Sequence, residues 1–116
     1  MPRPTRPRRG DVWTVSLDPT VGHEIKKMRP AIVVTSDIYN ANNWVVIVVP
    51  LTSRDEAEYD QVLIEPPEGG VSSSSVTLPD QMRAVDRTRL VRRVGKLKPE
   101  TMRAVDRSLK IVLDLS

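Results

Sequence analysis

Two apolar runs decide the fold of this chain. The first is Pro30-Ala31-Ile32-Val33-Val34, which Arg29 precedes, and the second is Val45-Val46-Ile47-Val48-Val49, which continues as Pro50-Leu51-Thr52-Ser53. Both runs are short and rich in β-branched residues, which predicts two buried strands. A polar residue stands at the rim of each strand, Arg29 before the first and Thr52 after the second. Polar groups that rigid strands carry to their rims are well placed to form a binding site.

The composition predicts one small, mainly β domain. The chain has 116 residues, enough for one hydrophobic core, and contains seventeen valines but no phenylalanine. β-branched aliphatic residues pack well on pleated sheets and specify helices poorly. The chain has no cysteine for disulfides or thiolate metal sites, and its longest apolar run, residues 44–49, is far too short for a membrane span.

The first nine residues differ from the rest of the chain. They carry four arginines and three prolines, and we predict that residues 1–9 form a disordered basic arm, because closely spaced prolines resist both helix and sheet. The folded domain is then expected over residues 10–116. No apolar stretch like the core of a signal peptide follows the arm, so we expect a cytoplasmic protein with no membrane partner.

Positive charge is clustered along the chain, although the net charge is only +3. Lys26 and Lys27 precede Arg29, and a second basic cluster precedes the C-terminal helix: Arg83, Arg87, Arg89, Arg92, Arg93, Lys96 and Lys98. Such clusters suit a polyanionic partner such as nucleic acid, but they also occur on solvated strand faces. The charge pattern alone leaves both interpretations open.

Periodicity predicts the remaining elements. We expect strands at residues 13–17, 30–35, 44–51, 61–65, 75–85 and 90–97. Residues 21–28 are predicted to be a loop, 40–43 a turn and 66–75 a flexible stretch. A C-terminal helix should begin at Pro99 and place Met102, Val105, Leu109 and Val112 on one face. The hexapeptide Met-Arg-Ala-Val-Asp-Arg occurs twice, and its context predicts a strand at residues 82–87 and a helix at 102–107.

The ordered motifs of this chain resemble those of the MazF/PemK toxin family. The motifs are Arg9-Gly10-Asp11-Val12-Trp13, Leu17-Asp18-Pro19-Thr20-Val21-Gly22-His23-Glu24, Arg29-Pro30-Ala31-Ile32-Val33-Val34, Pro50-Leu51-Thr52, and Asp80-Gln81-Met82-Arg83-Ala84-Val85-Asp86 with Arg89-Leu90. The resemblance runs from Arg9 to the C-terminus, and the order and spacing make it specific. It implies a small SH3-like barrel of the MazF/CcdB type with a C-terminal α-helix.

The resemblance also implies an activity and partners. It implies a toxin of a type II toxin-antitoxin system that cleaves single-stranded RNA such as mRNA, at specific sequences and without a metal or other cofactor. It further implies a homodimer that a cognate MazE-like antitoxin silences. The expected reaction is attack by a 2′-hydroxyl, which leaves a 2′,3′-cyclic phosphate and a 5′-hydroxyl.

Three residues are candidates for the chemistry. Arg29 carries a permanent charge on a planar fork of donors, which matches phosphate oxygens and suits it to transition-state stabilisation. Thr52 has a hydroxyl that can donate to the scissile phosphate, and the family motif places it opposite the arginine. Glu24 is the nearest carboxylate in sequence and is a candidate general base. An equally good interpretation of Glu24 is a loop carboxylate that pairs with neighbouring cations.

We assign RNA binding to six further residues: His23, Lys26, Lys27, Ser53, Gln81 and Arg83. Gln81 matches a family position that faces the bases, and its amide can read a base edge. His23 is the only histidine, so a pair of catalytic histidines is excluded, and an exposed loop histidine is its simpler interpretation. Trp13 and Trp44 can stack on bases, but we favour core or dimer-interface positions for them.

Two alternatives remain. CcdB-like gyrase poisons share the barrel, and resemblance to them implies activity through a C-terminal tryptophan. This chain instead ends Leu113-Asp114-Leu115-Ser116. A non-catalytic SH3-like nucleic-acid-binding module needs neither Arg29 nor Thr52 at a strand rim. Modules of that fold that bind peptides carry an aromatic groove, and the aromatic content here is only 3%.

Overall fold

A computed structural model describes residues 6–17 and 28–116 of the chain. Within these residues seven strands form one curled antiparallel sheet, and a helix follows at the C-terminal end. The strands are β1 Asp11–Ser16, β2 Met28–Val33, β3 Val45–Ser53, β4 Leu63–Ile64, β5 Ser75–Thr77, β6 Arg83–Asp86 and β7 Leu90–Lys96. The helices are α1 Asp37–Asn42 and α2 Pro99–Leu113, with 3₁₀ turns at Glu68–Gly70, Pro79–Gln81 and Arg87–Arg89. The predicted mainly β barrel with a C-terminal helix is confirmed.

The long strand β3 is the centre of the sheet. Its first half pairs with β6 and its second half with β5, while β2 lies along its other edge. The sheet order is β4-β5-β3-β2-β1-β7, with β6 branching from β3. The 3₁₀ turn Arg87–Arg89 then connects β6 to β7, which curls the sheet into a half-barrel.

Both faces of the central strands carry buried side chains, and neighbouring residues of β1 and β2 contribute to different core clusters. One cluster lies against α2 and contains Val12, Ile32, Leu51, Ile64, Val71, Leu97, Met102 and Val105. The other fills the opposite face and contains Trp13, Val15, Leu17, Ala31, Val33, Val46, Val48 and Val85. The aliphatic core predicted from the valine content is therefore confirmed, and Trp13 belongs to it.

The main strands and the helix match their predicted positions, and three smaller predictions are wrong. The expected turn at residues 40–43 belongs to α1, because the Ser36 hydroxyl accepts a hydrogen bond from the amide of Tyr39 (3.2 Å) and caps a helical turn. The strand expected at 75–85 is two strands, since Pro79 begins a 3₁₀ turn between them. The strand expected at 61–65 is reduced to Leu63–Ile64.

The prediction of a flexible stretch at residues 66–75 is also wrong. Gly69, Val71 and Ser75 are buried, and Ser75 begins β5. Gly69 has a φ of +66° and lies against β7, where a Cβ atom on Gly95 would come within 2.5 Å of the Gly69 carbonyl carbon. The stretch is ordered because two glycines allow two backbones to approach closely, a contact that polar composition does not reveal.

The proposed disordered arm does not extend to Arg9. The Arg9 amide donates to Asp37 Oδ1 (2.7 Å), its Nε donates to the Val34 carbonyl (3.0 Å), and its guanidinium pairs with Asp106. One arginine thus links the start of the domain to both helices. The arm's first five residues lie outside the described part of the chain, where disorder stays a prediction.

The repeated hexapeptide has two conformations, as its context predicts. Residues 83–86 form β6, and residues 102–107 lie within α2. The valine of each copy is buried, Val85 at 3% exposure and Val105 at 1%. Among the described residues, no helix combines the length and apolar character needed to cross a bilayer.

Replacing the valine of the second copy should weaken the fold. We expect Val105→Ala to lower the free energy of unfolding by about 2 kcal/mol, because it removes two methyl groups and leaves a cavity between α2 and the sheet. Val112→Ala is the matched control, since it changes helix propensity equally at a half-buried position. Urea denaturation monitored by circular dichroism measures both variants, and equal losses of stability would contradict this packing.

Candidate active site

Pairing of β2 with β3 brings the two predicted rim residues together. The β2–β3 ladder ends at the pair of Ala31 and Pro50, and Arg29 and Thr52 lie two residues beyond it, one on each strand. Both are half-buried, and both line a shallow concavity of about 250 Å³. Pro30, Leu51, Ser53 and Ser75 complete its lining. The expected proximity of Arg29 and Thr52 is therefore found in the structure.

Two serines, Ser53 and Ser75, line the concavity together with Arg29. Ser53 Oγ lies 3.2 Å from Ser73 Oγ, and Ser75 Oγ donates to the Ser73 carbonyl (2.9 Å). The Arg54 amide donates to the Ser74 carbonyl (3.1 Å), which fixes this segment beside the end of β3. The concavity can thus offer one cation, Arg29, and the hydroxyls of Thr52 and Ser53 to a bound anion.

Sequence reasoning missed Ser73 and Ser75. Their stretch was interpreted as flexible because four consecutive serines follow a pair of glycines. The available signal was the alternation of Ser75-Val76-Thr77, which forms β5 and pairs Ser75 with Ser53. The strand expected from residue 75 onward begins at this alternation, but its pairing with the end of β3 is a tertiary contact that the sequence does not show.

Other predicted site residues lie apart from the concavity or outside the described chain. Gln81 was expected in a strand but is the last residue of a 3₁₀ turn. Its backbone amide donates to the Leu78 carbonyl (3.0 Å), and its side chain is exposed. Arg83 is exposed on β6, where it pairs with Val48. Four residues lie outside the described part of the chain, and their roles stay predictions: His23, Glu24, Lys26 and Lys27.

The described residues do not contain an evident metal centre. Histidine, cysteine, aspartate and glutamate side chains of residues 6–17 and 28–116 form no group of three that could hold an ion. What the concavity provides instead is a guanidinium and hydroxyls at strand ends. Such groups can bind a phosphodiester and stabilise charge that develops on it.

A curled antiparallel half-barrel with a C-terminal helix and an Arg-Thr concavity at its rim defines a small-barrel toxin. The family model described as PemK-like, MazF-like toxin of type II toxin-antitoxin system matches residues 8–113. The chain belongs to this family. The family predicted from the sequence motifs is therefore confirmed.

Relatives and solved structures agree with this assignment. The chain is 36% identical over 114 residues to Endoribonuclease MazF9 of Mycobacterium tuberculosis (strain ATCC 25618 / H37Rv), covering 93% of this chain and 97% of the relative. It is 34% identical over 110 residues to Endoribonuclease EndoA of Bacillus subtilis (strain 168), with 93% and 95% coverage. The MazE-MazF (Form-II) structure from Deinococcus radiodurans superposes with a TM-score of 0.82 at 28% identity, covering 97% of this chain and all of the matched chain.

These names bear on the alternatives left open by the sequence. Both curated relatives are named endoribonucleases, which agrees with the predicted enzyme class and disfavours a gyrase poison or a non-catalytic module. A mycobacterial endoribonuclease in complex with its cognate antitoxin has the same fold, with a TM-score of 0.77 at 21% identity. Toxin and antitoxin therefore occur together among the structural neighbours.

The turn between β6 and β7 holds a carboxylate with a lowered pKa. Asp86 Oδ1 accepts from the amide and the hydroxyl of Thr88, at 2.9 and 2.8 Å. These two bonds, with a smaller contribution from the charge of Arg89, lower the pKa of Asp86. The ionised carboxylate thus caps the turn that carries Arg87 and Arg89.

Thr88→Val should raise the pKa of Asp86 part of the way to the ordinary aspartate value. It removes the hydroxyl bond but keeps the bond from the backbone amide, which is the larger cause of the lowered pKa. Because the folded-state pKa is lowered, the capping contribution is present above the ordinary aspartate pKa and is lost as the pH falls through the folded-state value. NMR titration of the Asp86 carboxyl carbon measures the shift, with Thr101→Val on α2 as control. An unchanged Asp86 titration in Thr88→Val would refute this explanation.

Proposed function

We propose that this toxin cleaves single-stranded RNA, with mRNA as its substrate, by attack of a 2′-hydroxyl on the adjacent phosphodiester. The products are a 2′,3′-cyclic phosphate and a 5′-hydroxyl. The observation that carries this proposal is the concavity lined by Arg29 and Thr52. Support comes from a relative that is 36% identical over nearly the whole chain and is named an endoribonuclease.

Arg29 is the proposed transition-state stabiliser. The reaction builds negative charge on the non-bridging oxygens of the phosphate, and the guanidinium fork can donate to two of them. A half-buried position strengthens that interaction, because water screens it less than on an open surface. Removing one such donor typically costs a factor of about 10² to 10³ in rate.

Thr52 is the proposed positioning residue of the reaction centre. Its backbone is fixed by pairing with Val76 of β5, so its hydroxyl has a defined place at the rim. From there it can donate to a phosphate that Arg29 also contacts, because both residues line the concavity. Fixing the phosphate in this way aligns the attacking and leaving oxygens, which lowers the entropic part of the barrier.

Glu24 retains two interpretations, a general base or a partner of nearby cations, and one variant separates them. A general base contributes a factor of about 10² to 10⁴ to the rate and sets the acid limb of the pH–rate profile. Glu24→Gln then lowers kcat and removes that limb. If Glu24 only pairs with cations, kcat and the profile are kept, and only stability or KM changes.

We also propose a cognate MazE-like antitoxin as inhibitor, a homodimer as the active form and the cytoplasm as the place of action. Support for the antitoxin comes from the MazE-MazF structure of Deinococcus radiodurans, which covers 97% of this chain. An acidic antitoxin segment and RNA would compete for the same cations, including Lys26 and Lys27 beside Arg29. Support for the homodimer comes from the family resemblance, and sedimentation at micromolar concentration tests it.

Arg29→Ala should reduce RNA cleavage by at least about 10² to 10³ while leaving the fold intact. The assay incubates purified protein with mixed RNA in EDTA and maps the chemistry of the new ends. Arg103→Ala is the matched control, because Arg103 is an exposed arginine on α2. Cleavage by Arg29→Ala at the wild-type rate would sink the assignment of Arg29, and ends without a cyclic phosphate would sink the proposed reaction.

A further inference from the structure

Arg54 lies at the sheet rim, directly after Ser53, the last residue of β3. Its backbone amide donates to the Ser74 carbonyl (3.1 Å), which adds one residue pair to the β3–β5 ladder beyond Ser53 and Ser75. Extended pairing therefore continues to Arg54, although the strand itself ends one residue earlier. The backbone of Arg54 is thus fixed by the same ladder that holds Thr52.

The continued pairing puts Arg54 on the same face of the sheet as Thr52. Side chains two residues apart on a strand point to the same side, and a strand rises roughly 3.4 Å per residue. The Cα atoms of Thr52 and Arg54 are therefore roughly 7 Å apart along the strand. Arg29 and Thr52 line one concavity, so Arg54 is a second cation close to the proposed position of the scissile phosphate.

The segment that accepts from the Arg54 amide is itself anchored. Ser74 Oγ donates to Glu65 Oε1, and Ile64 of β4 pairs with Ser75 of β5. Bonds from β4 and β5 thus hold the strand end that carries Arg54. A cation on such a support has a defined place relative to the concavity.

The guanidinium of Arg54 is exposed. None of the ion pairs found in residues 6–17 and 28–116 includes Arg54, although the exposed carboxylates of Asp55 and Glu56 follow it in the chain. An exposed guanidinium presents a planar fork of donors that matches two oxygens of one phosphate. The neighbouring carboxylates repel such a phosphate, so we expect a contact of modest strength.

We propose that Arg54 binds the phosphate next to the scissile one. The proposal rests on the proposed RNA-cleaving function. An RNA strand held at Arg29 and Thr52 must bring its next phosphate close to the first, because only one nucleotide separates them. A cation two residues along β3 from Thr52, on the same face, is suitably placed to meet it. Phosphate contacts of this kind position a nucleic acid without reading its sequence.

The contact should act on binding and leave the chemical step nearly unchanged. The charge of the neighbouring phosphate stays constant during the reaction, so Arg54 binds the ground state and the transition state alike. Its loss therefore raises KM and keeps kcat. Arg29 differs, because it meets charge that develops only in the transition state. The two arginines are thus separable by their kinetic effects.

An acidic peptide is the competing occupant, because a carboxylate accepts the same paired bonds from a guanidinium fork. Continuity of the substrate favours RNA. Its phosphates recur at every nucleotide on either side of the scissile bond, whereas a peptide needs a carboxylate at one chosen position.

Binding of an uncleavable RNA tests the contact directly. The probe is a labelled random-sequence single-stranded RNA with 2′-O-methyl groups throughout, which lacks the attacking hydroxyl. By fluorescence anisotropy, Arg54→Gln should weaken binding about 2- to 5-fold and reduce the slope of log K against log salt by about 0.7. Arg54→Lys should keep the slope, because it keeps the charge. Arg103→Gln, at an exposed arginine on α2, is the matched control and should change both quantities less.

A neutral phosphate identifies the group that Arg54 contacts. The substrate has one ribonucleotide in an otherwise 2′-O-methyl strand, built on a sequence cut in the mixed-RNA assay, so only one phosphate can be cleaved. Methylphosphonate replaces the phosphate on either side of it. In the wild type one of the two replacements should raise KM about 2- to 5-fold, and Arg54→Gln should be insensitive to that replacement. Equal sensitivity of both proteins at both positions would overturn the proposal.

The binding assay separates this contact from the proposed catalysis. An unchanged salt slope in Arg54→Gln, or no binding of the probe by the wild type, would overturn the contact even if RNA is cleaved in EDTA. A reduced slope without any cleavage by the wild type would sink the catalysis and leave an RNA contact at Arg54. If Arg54→Gln weakens binding of polyglutamate but not of RNA, the occupant is an acidic peptide and the proposal is wrong.

Discussion

The antiparallel register between β2 and β3 is the constraint on which the rest of the structure depends. Pairing Ala31 with Pro50 sends Ile32 to the core cluster against α2 and Val33 to the opposite one. A slip of one residue would exchange these faces and expose both clusters. The same pairing brings Arg29 and Thr52, each two residues beyond that pair, to one concavity. Burial of aliphatic side chains therefore helps to fix the geometry of the candidate active site.

Features that depend on local pattern were predictable from sequence. Runs of β-branched residues identified β2 and β3, and Pro99 followed by periodic apolar residues identified α2. The family motifs then selected Arg29 and Thr52. Features that depend on distant contacts were not predictable. Residues 66–75 are ordered because Gly69 lies against Gly95, and the residue pair is twenty-six positions apart in the chain.

The two concavities differ in how much of each a sequence can reveal. The Arg29 concavity comes mainly from the ends of two adjacent strands, so its principal residues appear within recognisable motifs. The second concavity, beside β7, is assembled from four separate parts of the chain, around Pro7, Trp13, Trp44 and residues 87–93. None of these parts carries a pattern that predicts the others. Exposure of Trp44 on a fixed backbone is a tertiary property, which a count of two tryptophans cannot convey.

Buried Asp11 has a consequence for the genetics of such a toxin. Its carboxylate joins the start of the domain, the indole of Trp13 (3.4 Å) and the guanidinium of Arg93, yet it lies beneath the surface. Removing this carboxylate leaves the Trp13 indole nitrogen and the Arg8 amide without their acceptor. A genetic screen for cells that survive expression of toxin variants would therefore recover substitutions of Asp11 as well as substitutions of residues on the binding surface. The map of sensitive positions in such a screen would trace the supports of the binding surface as well as the surface itself.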